Sequence, residues 1–244
     1  MGSFYTVVGL RLPKHEKFLT GRSHCDNCKH DLSFLDMIPI ISFIFLKGKC
    51  RYCKKKIDSL STYMELFTGI LFALSFYVFG FSYELAIALG IVSMLIIISV
   101  SDLTYYIIPD EILIFFIGYF LIILGLKNGI LPVFVNILSG LIMFCIMYTI
   151  MLIGNFLFKK ESLGGGDIKL MFVIGLVVSP LLGLFVIFFG SLFALPVSLL
   201  ILWKKKTKLI PFGPFLLIAF LFIYFTKLDT HMILDLLTFS KILF

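Results

Sequence analysis

Two aspartates at the ends of apolar stretches are the residues of this chain best suited to chemistry. Asp167 follows three glycines, Gly164 to Gly166, and precedes an apolar run, while Asp102 ends another apolar run. An acid in a membrane helix is costly, so it marks a functional site by default. Two carboxyl groups that meet can share one proton, with one acting as base on water and the other as acid toward a carbonyl oxygen. The pair therefore predicts aspartic-protease chemistry if the helices bring the two side chains together.

Each acid also has a structural alternative, because aspartate is a favoured residue at a helix N-cap. Asp167 could cap the apolar helix that follows it, and capping is the favoured interpretation of Asp110, which follows Pro109. Asp102 ends its helix, where the macrodipole disfavours negative charge, whereas Asp167 begins one, where it is favoured. These dipoles predict that Asp167 is the carboxylate that activates water and that Asp102 is the acid.

The composition indicates the kind of fold that must position these acids. Hydrophobic residues make up 60% of the 244 residues, and the mean hydropathy is +1.10, which predicts a polytopic membrane protein. The net charge of +7 could suggest nucleic acid, but the basic residues lie in loops between apolar runs. We therefore expect an all-α membrane protein of about seven to eight transmembrane helices, with the lipid bilayer and not nucleic acid as its environment.

The chain divides into four parts by composition. We predict a truncated or partial first transmembrane helix in 1–12, a cytoplasmic zinc-binding loop domain in 13–60, a transmembrane catalytic core in 61–227 and an interfacial tail in 228–244. The apolar runs of the core lie at about 62–81, 84–101, 111–126, 132–158, 168–179, 181–203 and 210–226.

The distribution of basic residues predicts the orientation. If 11–60 faces the cytoplasm, then that segment and the loops 158–169 and 203–209 together hold 18 of the 21 Lys and Arg residues. This asymmetry is a strong positive-inside signal. It places both acids at the cytoplasmic edge of the membrane.

Four of the five cysteines form two Cys-x-x-Cys pairs, Cys25 with Cys28 and Cys50 with Cys53. Two such pairs are typical of a closed four-cysteine zinc site, which is structural and not catalytic. Two disulfides or four free thiols are the alternatives. Basic residues crowd both pairs and indicate a cytoplasmic loop, where disulfides are rare, so structural zinc is favoured.

Several motifs resemble those of one family, the type 4 prepilin peptidases. Gly164-x-Gly166-Asp167-x-Lys169 resembles the GxGD motif of intramembrane aspartyl proteases, and Asp102-x5-Ile108-Pro109-Asp110 resembles the other half of the site. The two cysteine pairs match the zinc loop of bacterial members. Further signatures match at Arg11-Leu12-Pro13, Asp36-Met37-Ile38-Pro39, Glu65-x-x-Thr68-Gly69 and Pro211-Phe212-Gly213-Pro214.

The resemblance implies a function and a location. The family cleaves the basic leader of prepilins and pseudopilins at the cytoplasmic face of the bacterial cell membrane, and many members then methylate the new N-terminus with S-adenosylmethionine. The composition is most similar to that of the competence-associated enzymes of Gram-positive bacteria. The resemblance implies catalytic roles for Asp102 and Asp167, and supporting roles for Gly164, Gly166, Lys169, Asp110 and Glu65.

Two other classes of function compete with a protease. Acids in membrane helices also carry protons or cations, so a coupled transporter is the main alternative. The chain lacks the internal repeats expected of a transporter. A membrane scaffold that recruits partners through its zinc loop is the third hypothesis.

Overall fold

The structure is a bundle of α-helices, and the described residues form no β-sheet. This computed structural model describes residues 2–16, 27–28, 30, 33, 45–46, 48–56, 60–159, 163–205 and 210–228. The all-α membrane class predicted from the sequence is confirmed. The helices in these ranges are α1 (Gly2–Arg11), α2 (Leu60–Phe79), α3 (Tyr83–Tyr105), α4 (Asp110–Asn128), α5 (Ile130–Phe158), α6 (Gly165–Val177), α7 (Pro180–Lys205) and α8 (Gly213–Phe225).

Each predicted apolar run of the core is one helix, with ends that differ from the prediction by a few residues. In the described ranges, four helices are long and apolar enough to cross a bilayer, namely α2, α3, α5 and α7. The helices α6 and α8 are apolar but have only 13 residues each. The expected total of seven to eight transmembrane helices stays a prediction. Two predicted features, the tail beyond Leu228 and the motif at 36–39, lie outside the described residues.

Helix α3 is the centre of the bundle and packs against α1, α2, α4 and α8. In its apolar window 78% of the residues are buried, against 17–22% in the other three long helices. Its sequence fits this position, because apolar residues surround it on all sides, as expected of a helix enclosed by other helices. Asp102 therefore belongs to the helix that is most shielded from lipid.

Helix α6 is held on two sides, by α4 and, more extensively, by α5. Ser139 of α5 donates a hydrogen bond of 2.9 Å from its buried hydroxyl to the carbonyl of Val178, just after α6 ends. Large exposed apolar side chains cover the outer helices, including Phe134, Phe156 and Phe188. An exposed apolar surface of this extent suits lipid contact and not water.

Polar contacts fix the end of the bundle where α3 begins. Ser82 caps α3 by accepting a hydrogen bond of 3.2 Å from the N–H of Leu85. Glu84 pairs with Lys127 of α4 at 2.9 Å, and the Tyr224 hydroxyl of α8 donates to the Glu84 carbonyl at 3.3 Å. The two acids lie toward the other end of α3 and at the start of α6.

Candidate active site

Asp102 lies in the last turn of α3, in a buried position that is 6% exposed. Tyr106 ends the helix in a left-handed conformation (φ 59°), and its N–H donates to the Asp102 carbonyl at 3.0 Å. The Ser101 hydroxyl donates to the carbonyl of Ile107 at 2.6 Å. These bonds fold the chain sharply after Asp102, so that the loop 106–109 closes over the end of α3.

The carboxyl group of Asp102 binds the start of α8. Its Oδ2 accepts a hydrogen bond of 3.1 Å from the N–H of Gly213, the first residue of that helix. The first N–H groups of a helix have no partner within the helix, so a carboxylate satisfies one of them. The motif Pro211-Phe212-Gly213-Pro214 therefore contributes to the site through its backbone. The sequence offered only a family signature there.

Asp167 lies in the first turn of α6 and is 8% exposed. It does not cap its helix, because Gly164 occupies the N-cap, and the Asp167 N–H donates to the Gly164 carbonyl at 3.1 Å. A Cβ added to Gly164 would lie 3.3 Å from Oδ2 of Asp167, so the carboxyl group folds back over the start of α6. Its Oδ1 is buried and finds no hydrogen-bond partner among the described residues. Buried polar atoms are almost always paired, so this oxygen suits a water or substrate atom.

Ile108 joins the two halves of the site. A Cβ on Gly166 would lie 2.9 Å from Ile108 Cβ, and a Cβ on Gly213 would lie 3.0 Å from Ile108 Cδ1. Neither glycine could carry a side chain without a shift of its neighbour. Close approach to Ile108 is thus the physical reason for glycine at both positions. Ile108 is part of the Asp102 motif, but its role could not be predicted from the sequence.

Ile108 places the two acids near each other, because Gly213 lies against both Ile108 and Oδ2 of Asp102, and Gly166, which precedes Asp167, lies against Ile108. Both acids are buried, they come from different helices, and Oδ1 of Asp167 is unpartnered. This arrangement has the components of an aspartic dyad, which needs two carboxyl groups that compete for one proton. The catalytic roles of both acids stay a prediction.

The supporting residues expected from the sequence fall into two groups. Gly164, Gly166 and Lys169 lie in or beside the first turn of α6, and Asp110 lies opposite Lys169. Asp110 is the first residue of α4, after Pro109 at the N-cap, so the expected capping role is wrong. Its carboxylate instead binds the Lys169 ammonium at 2.7 Å.

Glu65, the remaining residue expected to support the site, lies on α2 where that helix packs against α1. It is in the second turn of α2, and a Cβ on Gly2 of α1 would lie 2.6 Å from its Cα. Its backbone thus packs against α1.

Three of the four predicted metal ligands form a cluster. The sulfur atoms of Cys28, Cys50 and Cys53 lie within 4.8 Å of one another, and the described cysteines form no disulfide. Thiolates around a tetrahedral zinc, bound at about 2.3 Å, lie roughly 3.8 Å apart, so the three residues fit a shared metal ion. The fourth predicted ligand, Cys25, lies outside the described residues.

The second cysteine pair lies on a tight turn that the backbone holds closed. The Cys50 N–H donates to the Lys55 carbonyl at 2.9 Å, and the Lys54 N–H donates to the Cys50 carbonyl at 3.0 Å. Lys55 also reaches the first pair, where its ammonium donates to the Asn27 side chain at 3.0 Å. The rings of His30 and Tyr52 pack against each other at a tilt of 41°, with centroids 3.7 Å apart. The two pairs are thus brought together by contacts outside the cysteines.

Comparison with known proteins matches most of the chain to the family that the sequence motifs resemble. Residues 1–79 match the family model described as the bacterial Peptidase A24 N-terminal domain, and residues 89–199 match that of the type IV leader peptidase family. A prepilin leader peptidase/N-methyltransferase of Bacillus subtilis is 38% identical over 178 residues, which cover 73% of this chain and 69% of the relative. No solved structure matches the chain.

Two further relatives are covered over most of their length. A prepilin leader peptidase/N-methyltransferase of Vibrio cholerae is 31% identical over 245 residues, covering 93% of this chain and 92% of the relative. A type 4 prepilin-like proteins leader peptide-processing enzyme of Escherichia coli is 31% identical over 219 residues, covering 88% and 76%. The transporter alternative finds no support among these relatives. The chain belongs to the type IV leader peptidase family.

Proposed function

We propose that this protein is a membrane-embedded aspartic endopeptidase that cleaves the basic leader of type IV prepilins or pseudopilins at the cytoplasmic face of the bacterial cell membrane. The observation that carries the proposal is the placement of two buried aspartates from different helices around Ile108, one of which has an unpartnered oxygen. The names of the relatives supply the substrate class. The excess of basic residues in three loops supports the cytoplasmic placement.

The geometry suits hydrolysis by a shared proton. A water held between Asp102 and Asp167 would lose a proton to the ionised carboxyl group as its oxygen attacks the peptide carbonyl. The protonated carboxyl group would donate to the carbonyl oxygen at the same time. Burial keeps other water away, so the charges act on the reacting atoms with little screening.

The test is cleavage of a synthetic prepilin by the purified protein in detergent. The substrate has a lysine-rich leader followed by an apolar segment of about 20 residues, which is long enough to lie in the bilayer as a helix. Asp102→Asn and Asp167→Asn should each lower the cleavage rate at least about 10³-fold, because an amide cannot exchange the required proton.

The matched control is Glu111→Gln, which removes a nearby exposed carboxylate at the start of α4. This variant should cleave at the wild-type rate and show that charge loss alone is harmless. Full cleavage by either aspartate variant would refute the assignment of the dyad.

Two further components belong to the proposal. Zinc held by Cys28, Cys50 and Cys53, with Cys25 as the fourth ligand, would order the loop between α1 and α2. The relatives' names also include N-methyltransferase, so we infer that S-adenosylmethionine is a second substrate. Transfer of a labelled methyl group to a pre-cleaved substrate, measured in the Asp102→Asn protein, tests that activity without the protease.

A further inference from the structure

An ion pair joins the first turns of α4 and α6, close to both acids of the dyad in sequence. The Lys169 ammonium donates to Oδ1 of Asp110 at 2.8 Å and to Oδ2 at 2.7 Å. Asp110 begins the helix that follows the Asp102 loop, and Lys169 lies two residues after Asp167. One side chain thus holds the two segments that carry the acids.

The same two segments meet a second time, through Ile108. This residue lies two positions before Asp110 and packs directly on Gly166, which precedes Asp167. The ion pair and the Ile108 contact together give the start of α6 two points of attachment to the chain between Asp102 and α4. A shift of α6 away from α4 would lift Gly166 from Ile108 and move Asp167 relative to Asp102.

We propose that the Asp110–Lys169 ion pair is a positioning element that sets the spacing between the two aspartates. The kinetic part of this inference rests on the proposed function, because it assumes that the two acids catalyse cleavage. Neither member of the pair contacts the reacting atoms. Both act by holding the first turn of α6 against the loop 106–109.

The solvent exposure of the ion pair distinguishes a role in positioning from a role in stabilising the fold. The Lys169 and Asp110 side chains are 51% and 57% exposed, and exposed ion pairs contribute little to the stability of a fold. Catalysis is far more sensitive, since a displacement of about 1 Å can cost about 100-fold in rate. Loss of the pair should therefore lower kcat strongly while the protein stays folded.

The kinetic experiment compares Asp110→Asn, Lys169→Gln and the charge-swapped double variant Asp110→Lys/Lys169→Asp with the wild type. Each single variant should lower kcat about 10- to 100-fold with KM changed less than about two-fold, because alignment and not substrate affinity is lost. The swap should recover most of the kcat that the single variants lose, to within about three-fold of the wild type, with the remaining deficit due to the unfavourable lysine at a helix N-terminus.

A second ion pair of the bundle, Glu84 with Lys127 at 2.9 Å, is the matched control. It also joins two helices and is partly exposed, but it lies at the opposite end of α3. Glu84→Gln and Lys127→Gln should leave kcat within about two-fold of wild type. All variants should keep Tm within about 2–4 °C of the wild type.

Hydrogen exchange gives a readout that does not need activity. The amides of 106–108 and 164–168 should exchange faster in both single variants, return toward wild type in the swap, and stay unchanged in the control variants. The positioning role would be overturned by single variants that keep the wild-type kcat or that only raise KM. It would also be overturned by a swap that recovers no activity, or by hydrogen exchange that does not change in the single variants. If the wild type cleaves no prepilin, the proposed function fails, and the exchange data still decide the positioning role.

Discussion

Asp102 and Asp167 differ in the hydrogen bonds that the fold gives them. The helix dipoles favour an ionised Asp167, yet Oδ2 of Asp102 accepts a hydrogen bond from the Gly213 N–H, while the Gly164 backbone lies against the carboxyl group of Asp167. Oδ1 of Asp167 has no partner in the described part of the chain. Because a buried oxygen without a donor destabilises a carboxylate, this unpartnered Oδ1 favours Asp167 as the acid and Asp102 as the base, the reverse of the roles expected from the sequence. The roles of the two acids stay a prediction.

Infrared spectroscopy at neutral pH tests these roles, with each aspartate replaced in turn. If Asp167 carries the shared proton, the protonated-carboxyl band should disappear in Asp167→Asn and remain in Asp102→Asn. The opposite pattern would restore the roles expected from the helix dipoles. The pH–rate profile will not replace this measurement, since two coupled carboxyl groups give values that belong to the pair.

Gly166 provides a test of close packing in the site. Alanine at this position would place a methyl group 2.9 Å from Ile108 Cβ, whereas a Cβ on the neighbouring Gly165 meets nothing within 4 Å. Gly166→Ala should lower kcat at least about ten-fold by moving Asp167, while Gly165→Ala should stay within about two-fold. Equal effects of the two variants on prepilin cleavage would show that backbone freedom, and not contact with Ile108, requires the glycines.

Asp110 shows where inference from local sequence fails. Its position after Pro109 and before an apolar run predicted a helix cap, but Pro109 itself occupies the N-cap. The partner that decides its role, Lys169, is 59 residues away. Local propensity cannot reveal such a partner, because the contact exists only once α4 and α6 have packed.

At the scale of the element, the positions of the helices in the sequence could be predicted well, but which helices pack against each other could not. Apolar runs bounded by Pro, Gly and charge gave every helix of the core, because lipid requires each span to satisfy its own backbone hydrogen bonds. The central place of α3 was not predicted. Its composition resembles that of the outer helices, and only its burial distinguishes it.

The cysteine cluster gives an element-scale prediction. Structural zinc contributes an apparent free energy of about 10–16 kcal/mol in small finger peptides, so the loop should depend on its metal. Reduced wild-type protein should contain one zinc per chain by elemental analysis, and Cys50→Ser should contain far less and expose 27–56 to protease.

Cys145→Ser is the control for this measurement, because Cys145 lies on α5 with its side chain exposed on the bundle surface. Its zinc content and proteolysis should match those of the wild type. Wild-type protein without zinc would contradict the assignment of the cluster.

At the scale of the whole molecule, the orientation in the membrane is the main expectation that the sequence supplies. In a Cys145→Ser background, Asn128→Cys at the end of α4 should react with a membrane-impermeant maleimide on intact cells. Lys159→Cys, just after α5, should react only after permeabilisation, since we expect the basic loop 158–169 to face the cytoplasm. The reverse labelling pattern would invert the orientation and place the acids on the outer face.

The hydrogen bond between the Gly213 N–H and the Asp102 carboxyl group also has a consequence for biosynthesis. The two residues are 111 positions apart, and Gly213 begins the last helix among the described residues. At about 5–20 residues per second, a ribosome needs roughly 6–20 seconds to pass from one to the other. During that interval Asp102 is already in the nascent chain without its donor. The dyad can therefore be complete only after α8 has been synthesised and has docked on α3, so a chain interrupted before Gly213 should be catalytically silent.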